Sequence, residues 1–411
     1  MSNRLPLEGI KILDFHWVGA GPWATSFFAD YGATVLRCES GLAPDPFRLA
    51  PPFSAPKGTR PTLNSGYMFN MLNSNKKSLR LDMKNPRSLE IVKPLIAEAD
   101  IVCENMRPGA MAKWGLDYEK MKEINPDIIM VSSCMQGQTG PRNKMSGFGL
   151  HLSALGGWTS ITGWPDREPI PPHQAYTDCI APVHEIIAIL AALEHRRLTG
   201  EGTYIDQSQL ESSMQLLSVP QLDWTVNHHL TELNGNRDPY GAPHGVYRTA
   251  AGGPAGDDNW IAIEVFTEEE WESFKKLCGQ DWVNDPKFAT LADRKANEDE
   301  LDALVDTWTK GFDGIELQKK LQAAGIGAGF VHNGKTVLED PHFEARHFFM
   351  NTGNTEMGDA IRFGPATKFM SCKPLEGYAP CIGEDNEWVC KEVLGMSDEK
   401  YQEYIDAEVF R

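Results

Sequence analysis

Long apolar runs are missing from this sequence. No stretch of about 18 apolar residues occurs, so no membrane-spanning helix is expected. The opening residues, MSNRLPLEGIKILDF, lack the apolar core and small-residue cleavage site of a secretion signal. Basic residues are also few: 39 Lys and Arg against 57 Asp and Glu give a net charge of −18. That balance argues against nonspecific nucleic-acid binding, and an anionic ligand would have to be met by a local basic cluster. The 8 cysteines form no CxxC pair, and no Cys/His spacing marks a zinc site. Reduced thiols in a cytoplasmic protein are the plainer reading, with no metal expected. HExxH, Walker A and GxSxG motifs are all absent.

What is present is a folded, multi-unit chain. Its 411 residues are 41% apolar and include 11 Trp, enough for a substantial core. Strand-like segments at 11–15, 33–39, 78–82, 100–104 and 127–133 alternate with helical ones at 22–31, 85–99, 117–124 and 179–198. That alternation predicts an α/β fold, with a parallel sheet covered by helices on both faces. Residues 41–64, rich in Pro and Ser, read as a surface loop. After about residue 230 the texture changes. A Gly-, Pro- and Asn-rich linker at 234–245 precedes a strand at 260–266 and acidic helices at 268–278 and 296–311. A strand at 360–363 and a helix at 385–394 come last. The expected organisation is a Rossmann-like large domain over 1–225, a linker and smaller α+β domain over 226–340, and a segment, 341–411, returning to the large domain.

The first strand runs into Gly19-Ala-Gly21-Pro-Trp-Ala24, and an acid, Glu39, follows roughly 20 residues later. This fits the GxGxxA pattern of a dinucleotide-binding unit, in which glycines let the backbone approach a pyrophosphate at a helix N-terminus. Short glycine turns also open helices in many α/β proteins, and the same geometry would serve coenzyme A. NAD, coenzyme A and a purely structural turn therefore all stay open on this motif.

Larger blocks carry more. They are LEGIKILDF (7–15), GPWATSFFADYGATVLRCE (21–39), NMLNSNKKSLRLDMKN (70–85), ADIVCENMRPGAMAKWGLDY (99–118), INPDIIMVSSCMQGQTGP (124–141) and YTDCIAPVHEIIAILAALEHRRLTGEGTYIDQS (176–208). With them the sequence resembles the class III CoA-transferases, the group of formyl-CoA transferase, carnitine CoA-transferase and benzylsuccinate CoA-transferase. The resemblance spans nearly the whole chain. It implies an interlocked dimer of Rossmann-like subunits, either a homodimer or a heteromer with a related subunit. It also implies acyl-CoA and carboxylate substrates with no other cofactor.

The resemblance makes Asp178 the catalytic residue, carrying the acyl group first as an aspartyl anhydride and then as an aspartyl-CoA thioester. Taken locally, Asp178 also reads as a helix N-cap, and a helix N-terminus would keep its carboxylate ionised. For coenzyme A the resemblance implies Val18, Gly19 and Ala20; Leu72, Asn73, Ser74, Asn75 and Lys76; Asn105, Met106 and Arg107; Lys113; and Cys134 with Gln136. Lys113 stands where relatives often carry Arg. The Arg that often grips the 3′-phosphate is Ser40 here, and a Lys expected after the fifth strand is Cys134. As bare residues, Lys76 and Lys77 read equally as a solvated charge run. The glycines Gly252, Gly253 and Gly256 occupy the place of a loop that shields acyl intermediates in formyl-CoA transferase, or they form a simple hairpin turn.

The expected donor is succinyl-CoA, and the expected acceptor a substituted succinate such as benzylsuccinate. Trp17, Phe148, Trp158 and Trp164 are candidates for an aromatic acyl pocket, and core packing explains aromatics equally well. Two alternatives accompany this reading. A 2-methylacyl-CoA racemase would pair Asp178 with a histidine near Phe148, where His151 lies close by. A noncatalytic CoA-binding subunit of a heteromeric transferase would account for Ser40 and Cys134.

Overall fold

The segment KILDF forms β1 (Lys11–Phe15), in which every residue after the first is buried. Such a strand can sit only inside a sheet covered on both faces. The computed structural model describes all residues except 1–3, 173, 174, 253–255 and 257. In it, β1 joins β2 (Thr34–Glu39), β3 (Lys77–Arg80), β4 (Ile101–Glu104), β5 (Ile129–Cys134) and β6 (Tyr204–Ser208) in one sheet of order β3-β2-β1-β4-β5-β6. Each neighbouring pair is parallel. This is the doubly wound α/β architecture that the alternating pattern predicts, with its order reversing between β1 and β4.

The strand pleat sends alternate residues to two separate cores. Leu13, Phe15, Leu36 and Val102 pack against helix α3 (Leu89–Glu98) through Ile91, Val92, Leu95 and Ile96. Ile12, Val35, Ile101, Ile129 and Val131 pack against Phe28 and Ala29 of α1 (Ala20–Asp30) and Ile189 of α6 (Thr177–Thr199). Each fully buried side chain of this kind contributes roughly 1.5–3 kcal/mol. Between these helices in the sequence lie α2 (Tyr67–Asn73), α4 (Tyr118–Ile124) and α5 (Gly149–Gly156). The C-terminal residues complete the first core, where Tyr404, Val409 and Phe410 are buried.

The chain divides into two compact units. One comprises residues up to Thr159, Pro171–Leu230 and His347–Arg411; the other comprises Ser160–Ile170 and Thr231–Arg346. The second unit has a three-stranded antiparallel sheet of β7 (His244–Arg248), β8 (Trp260–Glu264) and β9 (Gly327–Phe330). Helix α7 (Glu268–Cys278) begins with a capping box between Thr267 and Glu270 and buries Trp271 and Phe274, whose rings stack at 5.5 Å.

Sequence periodicity missed particular elements for particular reasons. β6 escaped notice because it is an edge strand, and its YIDQS sequence carries the polar residues that edges tolerate. β7 begins inside the segment read as a linker, and a helix at Asp398–Asp406 was not anticipated. The long helix starts at Thr177, with Tyr176 as its N-cap, so Asp178 lies within the first turn and is not the cap. Among the described residues, no helix is long and apolar enough to cross a membrane.

Candidate active site

Reversal of strand order opens a crevice between the C-terminal ends of β1 and β4, the place where ligands bind in open α/β sheets. The turn Trp17–Ala20 leaves β1, and Asn105–Arg107 leaves β4. Asn105 joins the two: its Oδ1 accepts from the Trp17 backbone N–H at 2.7 Å, and its Nδ2 donates to the Trp17 carbonyl at 2.7 Å. Val18 takes a left-handed φ of 64°, unusual for a β-branched residue, and donates its N–H to Asp45 Oδ2 at 3.0 Å. This turn is held from both sides.

A cavity of about 240 Å³ lies over it. The wall includes Trp17–Ala20, Asn105–Arg107, Cys134, Met135, Met145, Phe148, Asp178 and Gln209. Asp178 is the only carboxylate among the lining residues, and Arg107 the only cation. Position 19 lies so close to this acid that a β-carbon there would be 2.9 Å from Asp178 Oδ2. Burial pushes the Asp178 carboxyl up to about 6, against a smaller opposing effect from Thr177. The expected helix-dipole advantage therefore loses to desolvation. At pH 7 the group is still mostly ionised, and it is more basic than an ordinary carboxylate. Backbone N–H groups in the first turn of α1 lack intrahelical acceptors, and Gly19 and Ala20, which open that helix, line the same cavity as Asp178.

CoA-transferase family III matches residues 7–386 of the chain. The chain belongs to this family. It is 30% identical to the succinyl-CoA–D-citramalate CoA-transferase of Chloroflexus aurantiacus, over 96% of this chain and 95% of that one. It is 28% identical to the succinyl-CoA–L-malate CoA-transferase beta subunit of the same organism, over 97% and 96%. Among solved structures, a CAIB/BAIF family protein from Brucella suis superposes with a TM-score of 0.86 and 29% identity, covering 95% of this chain and all of that one. The protein is accordingly a class III CoA-transferase, acting on acyl-CoA.

Family membership changes how the glycine turn reads. Gly21 is packed on the ring of His16, where a β-carbon would fall 2.2 Å from the imidazole. Glu39, the acid of the dinucleotide pattern, is buried; it accepts from Arg48 twice at 2.8 Å and from Ser78 Oγ at 2.6 Å. Both glycines and the acid thus serve contacts within the protein, and the NAD reading loses its basis.

Of the residues named for coenzyme A, Val18, Gly19, Ala20, Asn105, Met106, Arg107 and Cys134 come together with Asp178. The block from Leu72 to Lys76 does not line this cavity. Asn73 Nδ2 donates to the Phe69 carbonyl at 2.9 Å and Ser74 Oγ to the Asn70 carbonyl at 2.9 Å. Asn75 donates to Asp30 Oδ1 at 2.6 Å. Leu72 instead lines a separate, largely apolar cavity with Trp23 and Val183. The Lys76 ammonium lies 2.8–3.1 Å from Thr25, the Pro22 carbonyl, Asn73 and Asp14, and is fully buried. With three N–H groups and four such acceptors, it has none left for a phosphate. Both sequence readings of Lys76, as cofactor ligand and as solvated charge, are corrected.

Lys113 is exposed at the end of a short helical turn after Arg107. Gln136 Nε2 lies 3.1 Å from the Met145 sulfur, behind the cavity wall. Burial pushes the Cys134 thiol up to about 11, so it brings no charge in place of a lysine. Trp17 and Phe148 are on the wall, whereas Trp158 meets Tyr176 edge-on and Trp164 belongs to the second unit. Gly252 and Gly256 both have positive φ between β7 and β8, and the Gly252 N–H donates to the Gly256 carbonyl at 3.1 Å. Gly253 lies outside the described residues. His151 is not among the lining residues; its Nδ1 accepts from the Phe148 N–H at 3.3 Å.

Sequence reasoning passed over Asp14, His16 and Glu185, which lie buried beneath the turn. The signal was available: a strand buried on both faces has no reason to contain Asp and His unless each has a partner.

Proposed function

We propose that this CoA-transferase carries the acyl group on Asp178 and moves CoA from succinyl-CoA to a dicarboxylic acid. The observation behind it is that Asp178 is the only carboxylate on the cavity wall and is raised by burial to about 6. The ionised carboxylate attacks the donor thioester carbonyl, forming a mixed anhydride and releasing CoA thiolate. The thiolate attacks the aspartyl carbonyl, giving an aspartyl-CoA thioester and free succinate. An acceptor carboxylate displaces the thiolate again, forming a second anhydride. Attack of the thiolate on the acceptor carbonyl then yields acceptor-CoA and restores the Asp178 carboxylate. Each step passes through a tetrahedral oxyanion that the N–H groups opening α1 are placed to receive.

The dicarboxylate class is supported by the names of the two Chloroflexus relatives, which specify succinyl-CoA with citramalate or malate. Arg107 supports it too: among the described residues no ion pair occupies its guanidinium, leaving it free for a second carboxylate or a CoA phosphate. A substituted succinate such as benzylsuccinate rests on Trp17 and Phe148 alone, which offer an aromatic substituent a surface. Val18–Ala20, Asn105–Arg107 and Lys113 are the CoA contacts in this reading.

Assembly with a second chain, identical or related, is part of the proposal. The exposed apolar row Val183, Ile187 and Leu190 on α6 supports it, as does the beta-subunit name of one relative. Among the described residues, no histidine lies on the wall for the racemase alternative to use. The deciding experiment is mass spectrometry of the Asp178 peptide after incubation with succinyl-CoA. An adduct in the wild type that is lost in Asp178→Asn is expected; its absence in the wild type overturns the proposal.

A further inference from the structure

Under the Trp17–Ala20 turn lies a fully buried polar group that the mechanism above does not use. Asp14 Oδ1 accepts the His16 backbone N–H at 3.0 Å and lies 2.9 Å from His16 Nδ1. Its Oδ2 accepts from Thr25 Oγ1 at 2.7 Å and from Lys76 Nζ at 3.1 Å. On the other side, His16 Nε2 faces Glu185 Oε1 at 3.4 Å. The His16, Asp14 and Glu185 side chains are completely buried. The other ionisable groups that face this set are Lys76 ahead of β3, Arg37 and Cys38 on β2, and Cys103 and Glu104 on β4.

The proton inventory follows from these contacts. Desolvation acts to raise Asp14, but Lys76 and His16 outweigh it and hold the carboxyl well below the usual range. His16 Nδ1 therefore carries hydrogen toward an ionised Asp14. Burial raises Glu185 to about 7, and the two acids beside His16 raise the imidazole. His16 Nε2 and Glu185 Oε1 thus face each other at 3.4 Å as an electrostatic contact without hydrogen-bond geometry, and the pair is neutral overall whichever of the two holds the proton.

The position of Glu185 gives this pair a consequence at the site. It stands seven residues after Asp178 on α6, close to two full turns, so both side chains leave the same face of the helix about 10 Å apart. His16 immediately precedes the turn whose Gly19 approaches Asp178 Oδ2. A contact between His16 and Glu185 thereby fixes the rotation of α6 about its axis relative to that turn. Rotation is the coordinate that sets how Asp178 meets Gly19.

We propose that His16 and Glu185 are positioning residues, a buried imidazole–carboxylate contact that locks α6 against the β1 turn and so places the Asp178 carboxylate for attack. This rests on the reading of Asp178 as acyl carrier. Neither residue touches substrate; they act through the helix and the turn.

The test compares Glu185→Met, which keeps volume but offers no hydrogen bond, with Glu185→Gln, which keeps a partner for Nε2. Glu185→Met removes one partner of a buried pair and is expected to lower stability, so the comparison is made per folded molecule. The readout is the rate at which folded enzyme forms the Asp178 adduct with succinyl-CoA, alongside CoA affinity by calorimetry. Glu185→Met is expected to form the adduct about thirtyfold more slowly at unchanged CoA affinity, and Glu185→Gln within about threefold of wild type. A purely structural pair would lower melting temperature in both variants and leave the rate per folded molecule alone, and that result overturns the proposal. So does a Met variant that labels at the wild-type rate, or a Gln variant as slow as Met. A wild type that forms no adduct on Asp178 overturns the acyl-carrier reading instead, and the two failures are thereby told apart.

Discussion

Gly19 leaves room for the Asp178 carboxylate and nothing more: a β-carbon at position 19 would sit 2.9 Å from Oδ2. Gly19 has φ −105° and ψ −77°, a conformation open to alanine, so its role is steric and not conformational. Gly19→Ala is expected to reduce kcat by about one to two orders of magnitude through displacement of the nucleophile, with melting temperature nearly unchanged. Steady-state kinetics and a thermal scan on the same preparation check both halves.

Activity should fall on the acid side with an apparent pKa near 6, because the raised Asp178 carboxyl must be ionised to attack. The sign for stability is opposite. A carboxyl raised in the folded state stabilises fully below its unfolded value and loses that contribution as pH rises through the folded value. Asp178→Asn, neutral throughout, is therefore expected to stabilise the protein at pH 7, on the order of 1–3 kcal/mol, while abolishing transfer. Urea unfolding of both proteins at pH 4 and pH 7 measures it; the gain should shrink at pH 4.

Lys76→Met should behave as a core mutation. It strands Asp14 among buried groups, with an expected loss of about 3–5 kcal/mol in unfolding free energy. A ligand role would instead show as a raised KM for acyl-CoA with stability intact. Denaturation and kinetics of the one variant separate the two.

Arg107 has the reverse profile. Exposed and without an ion pair among the described residues, it is expected to contribute little to stability. Arg107→Met should raise KM for acyl-CoA or the acceptor about tenfold to a hundredfold, through the loss of a charge-assisted contact. Comparing a dicarboxylate acceptor with its monocarboxylate analogue tells which partner the guanidinium meets: a penalty confined to the dicarboxylate assigns Arg107 to the acceptor.

Much of the fold was legible because its signals are local. Apolar runs at 11–15, 100–104 and 127–133 carry their own evidence of burial, and the matching strands are Lys11–Phe15, Ile101–Glu104 and Ile129–Cys134. The edge strand Tyr204–Ser208 was not legible, since a strand with one unpaired side need not be apolar. The blocks around Asn105 and Asp178 likewise carried the family resemblance, and with it the reaction class.

The sequence by itself thus determined the layered α/β arrangement and the class of chemistry, because periodicity and motif are written within a few residues. Tertiary structure alone decided which side chains are already committed. Lys76 looked like a free cation until Asp14, 62 positions away, was found against it. Gly21 looked like a pyrophosphate seat until the His16 ring filled the space over it. Asp178 looked like a helix cap until the helix was seen to start already at Thr177, with desolvation outweighing the dipole. The Lys76–Asp14 pairing and the burial of Asp178 depend on chain crossings that bring distant residues together, and the His16–Gly21 contact depends on how one tight turn folds back; no local residue pattern records any of these.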